Sequence, residues 1–276
     1  MKKIVILSLC FASLIAEAQN VKLEKGKKIT SKSIMSMDMD MGMGGQMKMK
    51  TNTTSLIEIT GADSKNYTAT NTVTKITSNS QVMGKEMNYD SDKKEDRDGE
   101  MGKQFSKMLD KAAKINIDKT TGKAKEIEVV TKTASEDDED GNPFAGLMGS
   151  GEKVAEGSTS AAFFIVPSDK KVGDKWLENT EIQGIKALKN YELKSLENGI
   201  ATLLMKSTGK GTINKEVKGM TIELDMETVG ENTMIVDTKT GLVKKNSGTT
   251  DVSGTMGVMG QTMPMSIKTI VSSEFE

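Results

Sequence analysis

The sequence predicts a mainly β protein: a curled antiparallel sheet or half-barrel built from two related halves, with one amphipathic helix at about residues 100–114. Three observations predict it. Segments that alternate apolar and polar residues recur between turn signals along most of the chain. Proline, which breaks a ladder, contributes only 3 residues, whereas glycine contributes 26 and supplies the turns. Only one segment carries the 3.6-residue period of a helix.

The first alternating segment is written in methionine. In SIMSMDMDMGMGGQMKMK (33–50), Met35, Met37, Met39, Met41, Met43, Met47 and Met49 all occupy odd positions, as do Ile57 and Ile59 downstream. Even positions carry Ser36, Asp38, Asp40, Lys48 and Lys50. Alternate residues of a strand share a face. This is therefore a hairpin with a thioether face and a charged face, its tip near Gly42–Gln46. Further strands follow in SLIEIT (55–60) and NYTATNTVTKIT (66–77). In EMGKQFSKMLDKAAKI, Met101, Phe105, Met108, Leu109 and Ala112 fall on one helical face, which would pack against the sheet. AKINID (113–118) and KEIEVVTKT (125–133) complete the first half.

SEDDEDGNPFAGLMGSGEKVAEGS (135–158) is acidic, then rich in glycine and serine, and reads as a flexible loop between the halves. Its opening imitates a calcium loop, with Glu136, Asp138, Asp140 and Gly141, but Leu147 stands where a closing bidentate Glu is needed. The second half repeats the strand pattern at 190–197, 199–211, 219–229, 232–238, 242–254 and 264–275. INIDKTTGKAKEI (115–127) resembles MIVDTKTGLVKKN (234–246), placing Asp118 with Gly122, and Asp237 with Gly241, in equivalent turns. MGGQMKM (43–49), VMGKEMNY (82–89), VKGMTIEL (217–224) and VMGQTMPM (258–265) read as four hairpin tips of one type.

The N-terminus reads as a secretory signal: Lys2 and Lys3, the apolar run IVILSLCFASLI, then Ala16-Glu17-Ala18, with cleavage after Ala18. The parts are thus 1–18 signal peptide, 19–134 N-terminal β half with the helix, 135–158 acidic loop and 159–276 C-terminal β half, the two halves forming one domain. Export to the periplasm or beyond, as a free or peripherally held envelope protein, is the expected localisation. Cys10, the only cysteine, falls in the apolar run and leaves with it. The chain has no histidine. Thiol and histidine catalysis and the usual zinc sites are thereby excluded, and neither an enzyme nor a cofactor is expected. The formal net charge of −1 offers no basic surface for nucleic acid.

Core packing is the first role of the methionines, because methionine is an adaptable filler and recurs at Met256, Met259, Met263 and Met265. A second role is a pliable ligand-facing surface formed by Met35, Met37, Met39, Met41, Met47 and Met49, with Trp176 as a further candidate contact. Thioethers also suit Cu(I), for which Met37, Met39, Met41 and Met47 are the candidates. The absence of histidine and cysteine partners weighs against that third role.

AAFFIVPSDKKVGDKWLENT (161–180) carries an aromatic run, Pro167 and the segment Val172-Gly173-Asp174-Lys175-Trp176. With the signal peptide, the β-rich halves and the mid-chain helix, it resembles a family of exported proteins of Bacteroidota, a domain of unknown function. That resemblance covers most of the mature chain and brings no activity or catalytic residues. The layout is also similar to the half-barrels that carry lipids or lipoproteins across the periplasm. The resulting expectation is a non-enzymatic exported protein that binds or carries an apolar ligand such as lipid. A structural or protein-interaction module of the envelope is the alternative, and Met-based Cu(I) binding the third reading. No sequence feature specifies an oligomeric state.

Overall fold

The computed structural model describes residues 23–42, 45–106, 108–129, 160–182, 184–217, 220–258 and 260–276. The predicted signal peptide with Cys10, the acidic stretch 135–158 and Met43 lie outside the described residues.

Twelve strands form one antiparallel sheet. They are β1 (Lys28–Asp40), β2 (Gln46–Ala62), β3 (Asn66–Val82), β4 (Lys85–Asp90), β5 (Ala112–Asp118), β6 (Ala124–Val129), β7 (Lys175–Ile182), β8 (Ile185–Glu197), β9 (Ile200–Val217), β10 (Met220–Asp237), β11 (Leu242–Val258) and β12 (Gln261–Phe275). The spatial order is β6-β5-β3-β2-β1-β12-β11-β10-β9-β8-β7, with β4 paired to β3 off this path. The first and last strands pair at the centre, from Ser31↔Phe275 to Asp40↔Ser266. The N-terminal strands therefore fill one side of the sheet and the C-terminal strands the other. The sheet is open, with edges at β6 and β7.

Alternation decides which face is buried. Along β1 and β2, Ile29, Met37, Met39, Met49, Ile57 and Ile59 are buried, while Asp38, Asp40, Lys48 and Lys50 are exposed. In β3 the buried parity changes from odd (Tyr67, Ala69) to even (Ile76, Ser78, Ser80). The cause is a bulge: the register steps from Thr54↔Lys75 to Ser55↔Val73, so Thr74 has no opposite residue.

Glycines let neighbouring strands come close where the sheet curls. A Cβ on Gly254 of β11 would stand 1.9 Å from the Asp225 carbonyl oxygen of β10. One on Gly211 of β9 would meet the Gly184 carbonyl oxygen at 2.4 Å. Side chains cannot occupy such close backbone approaches.

The two repeated turns form as their residues dictate. Asp118 Oδ1 accepts hydrogen bonds from the Thr120 and Thr121 N–H groups at 2.8 and 2.9 Å, and Asp237 Oδ1 from the Lys239 N–H at 2.9 Å. Gly122 (φ 70°) and Gly241 (φ 68°) close them in the left-handed region. Both turns flank a strap, residues 160–167, that crosses one end of the inner face. Phe164 N–H donates to the Gly241 carbonyl and Val243 N–H to the Ala162 carbonyl. On the other side, a Cβ at Gly122 would lie 3.3 Å from the Ile165 side chain.

The interior accordingly has two main clusters. At the strap end, Phe163, Phe164, Tyr67, Tyr191 and Phe275 pack with Ile29, Ile57, Ile59, Leu193, Leu203 and Val236. At the other end, Met37, Met39, Met49, Met226, Met256 and Met265 pack with Ile222, Leu224, Val252 and Ile267. β1 and β10 are three strands apart, about 14 Å in a flat sheet. The strands between them, β11 and β12, add Val252, Met256, Met265 and Ile267, so the cluster is continuous across the curled sheet.

The helix differs from expectation. Instead of one helix at 100–114, two short ones form, α1 (Lys94–Asp98) and α2 (Glu100–Phe105), interrupted at Gly99, whose backbone is extended. The predicted apolar face is real: Phe105 stacks on Tyr89 at 4.7 Å, and Met101 and Met108 pack with Ile76 and Leu109. After Leu109 the edge of β3 captures the chain. Asp110 N–H donates to the Val73 carbonyl, and Ala112–Asp118 becomes β5, so ladder hydrogen bonding overrides local helical periodicity there. The segments 219–229 and 232–238, read from sequence as two strands, fall on the single strand β10 (Met220–Asp237), with Gly230 inside it.

Candidate ligand-binding face

The structure gathers the six candidate methionines on one surface. Met37 lies directly opposite Met49, and Met39 opposite Met47, in the β1–β2 ladder. Met37, Met39 and Met49 are buried, and Met39 is only 1% exposed. Met35, Met41 and Met47 are half-buried and pack against the same cluster. The ladder brings them together because methionine takes every second position from Met35 to Met41 and again at Met47 and Met49. Met226, Met256 and Met265 join from β10, β11 and β12. The sequence signalled the latter two only as a repeated habit.

Trp176 is not part of that surface. It sits on β7 opposite Tyr191, stacks on its ring at 5.4 Å and packs against the aromatic end. The Gly173 turn before it is held from β8: Gly173 N–H donates to the Leu193 carbonyl, and Leu193 N–H to the Asp174 carbonyl.

Alternation from Trp176 places Glu178 and Thr180 on the inner side of β7, a charged interior site that sequence reading missed. Counting two residues from a buried aromatic is the signal that would have found it. Lys123, in the turn before β6, forms an ion pair with Glu178, joining the two edges of the open sheet at one point. Tyr191 Oη donates to Glu178 Oε2 at 3.1 Å. Lys189, opposite Glu178 in the β7–β8 ladder, has its ammonium pKa lowered, chiefly by burial; Glu178 opposes the shift and Lys123 adds to it. The Thr180 hydroxyl is buried without a hydrogen-bond partner.

One register row links this seam to the methionines. It runs Glu178–Lys189–Ser207–Gly230–Thr250–Thr269–Met37–Met49 across β7, β8, β9, β10, β11, β12, β1 and β2. The inner face is thus charged at the edge, small and hydroxyl-bearing in the middle, and thioether-lined beyond. A groove of about 660 Å³ lies over β7–β10, lined by residues of both faces, among them Thr180, Leu188, Thr208 and Val229. Among the described residues no group of three or more His, Cys, Asp or Glu converges on a metal position. None of their helices is long and apolar enough to cross a membrane.

Residues 64–243 match the model of a family of unknown function, DUF6263. The chain belongs to that family. The matched span runs from the β2–β3 turn to the start of β11, so it takes in the seam, the strap and Trp176 but not the β1–β2 methionine hairpin. No curated protein matches the sequence. Among solved structures the chain is similar to one of lipid–protein interactions in lipovitellin, at TM-score 0.52 and 11% identity, over 92% of this chain and 25% of that one. It therefore spans about a quarter of lipovitellin's length, and the likeness is one of fold. Two Pseudomonas aeruginosa structures, OpdQ and OccK5 (OpdH), align over 92% of the chain and 99% and 98% of theirs, each at 5% identity. Their TM-scores of 0.23 and 0.22 do not indicate a shared fold.

Proposed function

We propose that this protein is an exported, non-enzymatic envelope protein that holds an apolar or amphipathic ligand, such as a lipid, on the inner side of its curled sheet. The observation that carries the reading is the register row from Glu178 to Met49. An amphipathic molecule entering between β6 and β7 meets charge at the seam, a strip of small and hydroxyl side chains, and then pliable thioethers. Methionine has three rotatable bonds and repacks around apolar guests of differing shape. The large, open, curled sheet is shared with lipovitellin, whose structure concerns lipid–protein interaction, and this supports a lipid as the ligand class. The half-barrel layout of periplasmic lipid carriers, the reading of 1–18 as a signal and the likeness to exported Bacteroidota proteins support an envelope location. The absence of histidine, and of cysteine after Ala18, supports binding without catalysis.

Trp176 is the only tryptophan and stacks beside the seam, so it reports on this region. Mature protein purified from its own cells, analysed by native mass spectrometry, is expected to carry lipid. After delipidation, a long-chain fatty acid or dispersed phospholipid should change Trp176 emission saturably. A bare mass together with unchanged emission would overturn the reading.

A further inference from the structure

Packing alone does not demand sulfur at the end of the sheet opposite the strap. Ile57, Ile59 and Leu203 fill equivalent inner positions at the aromatic end. What distinguishes the methionine end is where its thioethers meet. Met39 and Met47 are direct cross-strand partners. The β1–β12 register, ending at Asp40↔Ser266, carries Met41 onto Met265, and a Cβ on Gly42 would lie 3.3 Å from Pro264. Directly opposite side chains on one face have Cβ atoms about 4.5–5.5 Å apart, within the combined reach of two thioether arms. Met39, Met41, Met47 and Met265 therefore form one patch beside the β1–β2 tip.

Among the described residues, the surroundings leave that patch to sulfur. Met41 N–H donates to the Gly45 carbonyl, and Met265 is opposite Gly254, so two neighbouring positions carry no side chain. Asp38 and Asp40 point to the outer face, and Asp40 Oδ1 accepts from the Gly42 N–H at 2.8 Å. Met39 and Met265 are buried while Met41 and Met47 are half-buried, so the patch has deep donors and a rim that solvent reaches. Neutral, soft donors without carboxylates favour a soft monovalent cation. A hard or divalent ion would lose its hydration without charged oxygen ligands in return.

We propose that Met39, Met41, Met47 and Met265 bind one Cu(I) ion. The binding is simple coordination, with no change of oxidation state. The test uses the full mature protein, Cu(I) kept reduced with ascorbate, and a chromophoric Cu(I) chelator as competitor. Wild type is expected to withdraw one Cu(I) per chain, with a sulfur-only first shell by X-ray absorption. Loss of outer-shell partners alone lowers metal affinity ten- to hundredfold, so Met41→Leu with Met47→Leu should weaken it by about tenfold or more. Met234→Leu, buried in the strap-end cluster and away from the patch, should leave it unchanged. Failure of wild type to compete, an oxygen or nitrogen first shell, undiminished affinity in the double variant, or equal loss in Met234→Leu would each overturn the proposal. The first-shell measurement on wild type stands even if the double variant does not fold.

Discussion

The strap end and the methionine end bury inner positions of the same long strands with different chemistry. At the strap end, a segment from outside the sheet inserts Phe163 and Phe164 among Tyr67, Tyr191 and Phe275, and hydrogen bonds to Gly241 and Val243 fix it. At the methionine end, every described buried member of the cluster comes from the sheet, and six of the ten are methionine. Aromatic rings have few rotamers and a defined contact geometry, so the first end is a fixed plug. Thioether side chains adjust, so the second fills itself with side chains of adjacent strands and can repack. A barrel-like sheet can thus be closed rigidly at one end and softly at the other, with the polar row through Ser207, Thr250 and Thr269 between them.

The most direct way to break this contrast is Phe163→Ala. Phe163 is 1% exposed and central to the plug, so about 3–5 kcal/mol should be lost in urea unfolding. A loss as small as that of a core methionine would abolish the distinction. Next is Gly254→Ala, which puts a Cβ against the Asp225 carbonyl of the neighbouring strand at the methionine end. Strain of this kind costs about 1–3 kcal/mol, and the lowered midpoint should come with increased binding of a hydrophobic dye. Met39→Leu should cost less than about 1.5 kcal/mol although Met39 is as deeply buried as Phe163, because volume is kept and neighbouring thioethers adjust.

The smallest effect sharpens the boundary between the ends. Lys189 holds its proton less tightly when folded than when unfolded, mainly through burial, with Glu178 of β7, Tyr191 and Lys123 around it. A lowered folded pKa means that the unfolded chain binds more protons below the ordinary value of 10.5. The Lys189 contribution therefore grows as pH rises toward that value and is lost as pH falls through the folded pKa. Lys189→Met lacks this dependence. Its stability relative to wild type should be greater at neutral pH than near pH 10, as read from urea midpoints at both.

Much of this was legible in local pattern. The odd-numbered methionines chose their face, Asp118 with Gly122 and Asp237 with Gly241 chose their turns, and the Met-Gly tips marked one end of the meander. These depend on the period-2 strand and on positive φ, which a sequence displays directly. The helix end at Phe105, the strand β7 and the continuity of β10 were not legible, because each is set by what another strand offers to pair with. Glu178 and Lys189 were missed for a related reason: a charge is identifiable as interior only once its strand's face is fixed by the Trp176–Tyr191 stack.

The sequence by itself determined the alternation, the turns, the methionine face and the lack of histidine, since these follow from residue identity and spacing. Only the tertiary structure decided what those faces meet. The strap reaches between two turns more than a hundred residues apart, β1 pairs with β12, and the methionine cluster runs on across β12 and β11 to β10. Such contacts follow from register and chain closure, which are properties of the whole sheet rather than of any one strand.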